Sequence, residues 1–259
     1  VELRELDEAE AESAVRAKLA QLYPARGAAL PDGLVALLMA RAQGNPFYLE
    51  ELLNFVRDRG LDPADLSRLE LPDSLHTLIL SRIDQLTERQ KTTLRAAAII
   101  GRLFRARWLA GYYPELGPFG EVKVALEALA RLDITPLDAS EPEPAYLFKH
   151  VVTQEVTYES LTFAARALLH GRLAHYLEAQ DAEAAHLVDT ICFHYQRTEN
   201  VAKQREYLRK AGDAARLSYA NEAAVAHYGR LLPLIGDAVE RHAILLQRGD
   251  VLLLMSRWA

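Results

Sequence analysis

Apolar residues recur at helical spacing along almost all of this chain, and a single stretch breaks the rhythm. Leu49, Leu52, Leu53 and Val56 stand at i, i+3, i+4 and i+7, the stripe of a helix that buries one face. The exception lies between residues 133 and 149. Two β-like runs, Asp133 to Leu137 and Ala145 to Lys149, flank the polar, proline-rich segment Asp138 to Pro144, which cannot be helix interior. Pro136 lacks the N–H that an inner strand needs, so the first run is expected at a sheet edge. The expectation is therefore a mainly α chain with one small β-hairpin.

Turn residues divide the helices. Pro31-Asp32-Gly33 opens a helix with Leu34, Leu37 and Leu38 on one face. Gly44 is placed to take the left-handed conformation after it, Asn45 to cap the next helix, and Pro46 to fill its first turn. Gly60 ends that helix, and residues 61–72 form a connector. Asp73 or Ser74 caps a further helix carrying Leu75, Leu78, Ile79, Ile83 and Leu86. Thr87 and Gln90 form a capping box for another, which stops at Gly101. A short helix with Trp108, Leu109 and Tyr112 and a longer one with Val122, Ala125, Leu126 and Leu129 precede the hairpin. Helices followed by one hairpin describe a winged helix-turn-helix, over residues 73–150.

After His150 the pattern is helical throughout. Gly212, Ala224 and Tyr228 match positions of the tetratricopeptide pattern, where small residues permit close helix packing. Gly249 follows Gly212 at an interval of 37 residues, with Leu208 and Leu245 each four residues before the glycine. Residues 151–259 are thus expected to form TPR-like helix pairs, continuing beyond the last residue.

Charge and motifs exclude several activities. Lys and Arg number 30 against 36 Asp and Glu, a net charge of −6 that does not suit nonspecific nucleic-acid binding. A local basic group, Arg95, Arg102, Arg105 and Arg107, is the place where a DNA-reading helix would show itself, with a solvated arginine-bearing face as the plainer reading. No run of about 18 apolar residues suits a membrane span. The first residues are acidic and lack the order of a secretory signal, so a cytoplasmic protein is expected. Cys192 stands alone, unable to form an internal disulfide, and reads as a small buried hydrophobe. The eight histidines include no pair at the spacing of a zinc-binding helix. No Gly-Lys dipeptide occurs, so the phosphate-cradling loop of an ATPase is missing and no catalysis by this chain is expected. A charged helix already under way at the first residue, and an apolar helical pattern still running at the last, read as cut ends.

One stretch resembles a known family. Arg41-Ala42-Gln43-Gly44-Asn45-Pro46-Phe47-Tyr48-Leu49-Glu50-Glu51-Leu52 is similar to a segment of the signal-transduction ATPases with numerous domains, as attached to bacterial adenylate/guanylate cyclases and LuxR-type regulators. Leu71-Pro72-Asp73-Ser74-Leu75 leading to Ile83-Asp84-Gln85-Leu86, Phe148-Lys149-His150 leading to Tyr158-Glu159-Ser160-Leu161, and the repeat helices follow in the same order. The resemblance implies that a P-loop domain precedes residue 1. Residues 1–72 would be a helical lid and connector, residues 73–150 the winged helix, and the remainder an arm for a protein or peptide partner. ATP or ADP with magnesium would be bound by the parent protein. Gly44 and Pro46 would pack against the adenine, and His150 would sense the diphosphate. The function implied is regulation of an output domain, such as a nucleotide cyclase, by nucleotide state. The alternative is a DNA-binding regulator using Arg102, Arg105 and Arg107.

Overall fold

The computed structural model describes residues 5–24, 33–61, 74–140, 142–180 and 186–255. The expected helix opening at Pro31-Asp32, the connector over residues 62–72, Asp73, Glu141 and the final Ser256 to Ala259 lie outside the described residues. The chain divides into two compact units, residues 1–110 with 115–160, and residues 111–114 with 161–259.

The first unit begins with α1 (Glu8–Leu22), α2 (Leu34–Ala42) and α3 (Pro46–Asp58). α1 is not already under way at the chain start. Asp7 closes a capping box with Glu10, and residues 5–7 are not helical. Leu38, Leu52 and Val56 are fully buried in the core that these helices share with Leu78. α4 (Leu75–Asp84) is capped by Ser74, whose hydroxyl accepts the Thr77 N–H at 3.1 Å. α5 (Glu88–Ile100) opens with the expected Thr87–Gln90 box and ends at Gly101.

Next come β1 (Leu103–Arg105), α6 (Ala106–Tyr112), α7 (Phe119–Arg131), β2 (Leu137–Ala139), β3 (Ala145–Leu147) and α8 (Val151–Glu159). The hairpin is present, and β1 joins it as a third strand in the antiparallel order β1-β3-β2. β1 is three residues long, too short to show alternation. It is held by pairing with β3 and by Phe104, whose ring lies 6.2 Å from Tyr146 and 5.8 Å from Phe148.

β2 is an edge strand, as Pro136 requires, but it starts at Leu137 rather than Asp133. Residues 132–134 are spent closing α7. Asp133 takes φ 62°, its N–H donates to the Ala130 carbonyl at 2.9 Å, and the Ile134 N–H donates to that of Leu129 at 3.1 Å. This is a Schellman closure built without glycine. α8 packs on α4 and α5 in the first unit, whereas a boundary at residue 151 would place it with the repeats.

The second unit stacks α9 (Phe163–Glu178), α10 (Val188–Tyr195), α11 (Val201–Leu217), α12 (Asn221–Leu231) and α13 (Ala238–Leu254), each against the next. At Gly212, α11 lies against the Tyr228 ring of α12. A methyl group there would lie 2.6 Å from Cε1 of the Tyr228 ring, so only glycine admits the ring. The Tyr228 hydroxyl donates to Asp213 Oδ1 at 2.7 Å, and Ala224 and Tyr228 are fully buried. The arrangement is of helical-repeat type, and the chain as a whole is mainly α. Among the described residues, no helix is long and apolar enough to cross a membrane.

Candidate functional site

Gly44 and Pro46, two of the residues singled out by sequence, lie at the start of α3. Gln43 and Gly44 both take left-handed conformations, φ 50° and 76°, and turn the chain sharply out of α2. Asn45 then accepts from the Phe47 and Tyr48 N–H groups at 3.0 and 3.3 Å, and Pro46 occupies the first helical position. Gly44 is constrained twice. A Cβ there would stand 2.7 Å from that of Glu5, and the Gly44 carbonyl accepts the Leu6 N–H at 3.0 Å. The turn is thereby sewn to the segment leading into α1.

Four residues beyond Pro46, α3 presents Glu50 to a ring of charge. The Lys18 ammonium of α1 donates to Glu50 Oε1 and to Asp133 Oδ2, both at 2.7 Å. The Lys149 ammonium, just after β3, donates to the same two oxygens. Lys18 is buried and the other three members are partly buried. His150, the N-cap of α8, has its Nε2 3.2 Å from the second Glu50 oxygen and 3.8 Å from Glu51. The Phe47 ring meets the His150 ring edge-on at 4.7 Å between centroids.

His150, followed by Lys149 and Lys18, holds the Glu50 carboxyl far below the usual carboxylate range, against the opposing effect of burial. Burial alone would raise Asp133, and hydrogen bonds from Lys149 and Lys18 lower it instead. Lys149 is also partly desolvated, but its two carboxylate partners raise its pKa and keep it charged.

A second network starts from the neighbouring Glu51. Arg82 of α4, 4% exposed, donates to Glu51, to Asp58 Oδ2 at 2.9 Å and to the Leu132 carbonyl at 2.8 Å. Arg57 reaches the same carbonyl at 3.0 Å. Two guanidinium groups thus meet the negative end of α7. Beside these networks, α1 and α3 flank an open cleft of about 310 Å³ bordered by Pro46, Leu49, Val15, Gln21, Lys18 and Glu50.

The structure sets His150 against Glu50 and Phe47 of α3, the helix that Pro46 opens two residues after Gly44. Sequence reading missed Lys18, Glu50, Glu51, Arg82 and Asp133 as members of these networks. Their partners are distant along the chain; Glu50 and Glu51 fall within the Arg41–Leu52 stretch without a role assigned there, and no local motif marks Lys18, Arg82 or Asp133. Lys149 falls within Phe148-Lys149-His150, where the sequence assigns it no role of its own.

The arginines behave differently. Arg105 ends β1 and Arg107 is the second residue of α6, and both pair with Glu143, at 3.2 and 3.5 Å. Arg105 also sits 5.2 Å above the Trp108 ring, while Arg102 is exposed and supplies its carbonyl to the Phe148 N–H. Arg102 precedes β1, Arg105 is its last residue and Arg107 lies in the first turn of α6, so the three do not line one helix face. On the exposed face of α7, Glu121 and Glu127 balance Lys123 and Arg131.

In the second unit His170 and His194 are buried with Nδ1 atoms 2.8 Å apart, so one ring donates and the other accepts. Burial lowers them to about 4 and about 3, which makes both neutral near pH 7. Cys192 is 1% exposed and burial pushes its thiol up to about 11, in keeping with its reading as a small buried hydrophobe. Among the described residues, no group of three or more His, Cys, Asp or Glu side chains could hold a metal.

No family model matches the sequence. An uncharacterized protein of Rhizobium meliloti is 26% identical over 176 residues, covering 66% of this chain, and the match spans only 16% of that protein's length. A solved structure of a signal transduction ATPase with numerous domains, carrying a tetratricopeptide repeat sensor, from Pyrococcus horikoshii, aligns with all of this chain and 52% of its own. The TM-score of that alignment is 0.39 and the identity 14%.

Proposed function

We propose that this chain is the regulatory and interaction part of a larger signal-transduction ATPase. It would be catalytically silent by itself and answer to a nucleotide whose phosphates a P-loop domain of the same protein holds. In this reading α1 to α3 form the lid. The order α5, β1, α6, α7, β2, β3 is a winged helix, and the stacked helices from α9 onward receive a protein or peptide partner. The output domain, a nucleotide cyclase for example, lies elsewhere in the protein.

One observation carries the reading. The Gly44-Asn45-Pro46 turn opens α3, and Glu50, four residues after Pro46 on that helix, lies 3.2 Å from His150. Pro46 offers a rigid face with no N–H, suited to an adenine ring. His150 opens α8, whose first N–H groups favour an anion. A diphosphate arriving there would compete with Glu50 for His150 and Lys149. It would thereby loosen the ring that ties α1 and α3 to Asp133 and Lys149. Exchange of ADP for ATP would then shift a two-state equilibrium through its different contacts with these groups.

The test is His150→Ala in the longer protein. Loss of a charge-assisted contact of about 1.5–3 kcal/mol should speed ADP release by about tenfold or more. Unchanged ADP retention and basal activity would remove the sensing role. The present chain alone should turn over no ATP. The alternative of a DNA-reading helix finds no support in the balanced face of α7 or in arginines already paired with Glu143.

A further inference from the structure

One surface of the second unit gathers positive charge around an exposed aromatic ring. Phe193 of α10 is 45% exposed, and the Arg197 guanidinium carbon lies 3.5 Å from the centre of its ring. Arg197 Nη1 also donates to the Phe193 carbonyl at 2.9 Å, so the backbone holds the guanidinium in place over the ring. The buried rings of His170 and His194 meet Phe193 edge-on, with centroids 6.2 and 5.2 Å away. Burial lowers both histidines, and neighbouring cations lower them further. Arg197 and Arg166 act on His170, and His170 and Arg197 act on His194. Asp189, one turn before Phe193, lies 3.4 Å from His227. Among the described residues no carboxylate, the nearby exposed Glu199 included, forms an ion pair with Arg197. Its remaining N–H donors and an apolar ring thus stand side by side.

We infer that the Phe193–Arg197 surface docks an acidic peptide segment of a partner protein. A carboxylate accepts from the remaining N–H groups of Arg197, and an adjacent apolar side chain covers the exposed part of Phe193. Charge complementarity selects this occupant. The net negative charge of the chain falls on residues 1–160, so the second unit does not itself repel an acidic segment. A nucleic-acid strand would need a bare ring face and a run of unpaired cations. Arg197 already covers one face of Phe193, and Lys203, Arg205 and Arg209 are paired with Glu178 and Glu240. The inference rests on the reading of these helices as the partner-receiving part, and not on the nucleotide switch.

The experiment titrates the 259-residue chain into a fluorescein-labelled peptide of glutamates around one phenylalanine and follows its anisotropy at low salt. Binding should appear and weaken as salt is added. Arg197→Gln should reduce the affinity by about tenfold or more, because it removes a charge-assisted contact. Phe193→Ala should also weaken binding, whereas Arg241→Gln on α13 should leave it unchanged. The same peptide with glutamine in place of glutamate should not bind. Equal binding of the two peptides would overturn the acidic assignment and leave the partner-receiving reading standing. Binding of neither, binding indifferent to Arg197→Gln, or tighter binding of a single-stranded oligonucleotide would overturn the docking site itself.

Discussion

Two glycines at nearly the same φ separate the cost of backbone conformation from the cost of contact. Gly44 and Gly60 take φ 76° and 64°, but a Cβ on Gly60 would meet nothing within 4 Å, whereas one on Gly44 would press on Glu5. Each alanine substitution should cost about 1–2 kcal/mol for the left-handed backbone. Gly44→Ala should cost measurably more, read as a lower urea midpoint. Equal midpoints for the two variants would mean that residues 5 and 6 do not clasp the turn. Asp133 shows what the same conformation does for a charged residue. By closing α7 left-handed it aims its carboxylate at Lys18 and Lys149, and one backbone decision both ends a helix and places a charge.

Between elements, the largest pH effect at mild acidity belongs to α9 and α10. His170 and His194 are lowered by burial to about 4 and about 3 from an ordinary 6.5. In the unfolded chain both take protons as pH falls below 6.5, whereas in the folded chain they stay neutral until their lowered values are reached. Their contribution to stability is therefore complete above 6.5 and is lost as pH falls toward 4 and 3. The slope is up to about 1.4 kcal/mol per pH unit for each ring. The lowered carboxylates Glu50 and Asp133 withdraw their contribution only as pH falls below about 4.5. Denaturant melts between pH 6.5 and 4.5 should slope accordingly, and replacing both histidines with leucine should flatten that limb. An unchanged slope in the double variant would place the acid sensitivity elsewhere.

At the scale of the whole molecule, charge decides which partners are open to it. A net −6 repels phosphate chains at long range, and the arginines closest to a reading position already face Glu143. Mobility-shift assays with duplex DNA at low salt should show no complex, and Arg105→Ala with Arg107→Ala should change nothing. A complex that weakens steeply with salt and with those substitutions would restore the DNA reading. The repeat-type stack, by contrast, buries one helix face against the next and leaves apolar residues such as Leu246 and Leu254 of α13 exposed, a surface suited to protein rather than nucleic acid.

The sequence by itself determined several helix ends of the first unit, because caps and turns act over a few residues. Asn45, Ser74, the Thr87–Gln90 box, Gly60 and Gly101 each satisfy or release backbone groups locally, and each was legible one letter at a time. The Gly212–Tyr228 contact was legible too, through a repeat that recurs along the chain. Strand β1 and the late start of β2 were not. A three-residue strand exists only through its partner, and the start of β2 depended on how α7 closed. The charge ring was hidden for the same reason. Lys18, Glu50, Asp133 and Lys149 come from four separate segments, and a buried cation is tolerable only where folding delivers carboxylates to it. Tertiary structure alone made those deliveries, and with them set His150 against Glu50 and Phe47 of the helix that Pro46 opens.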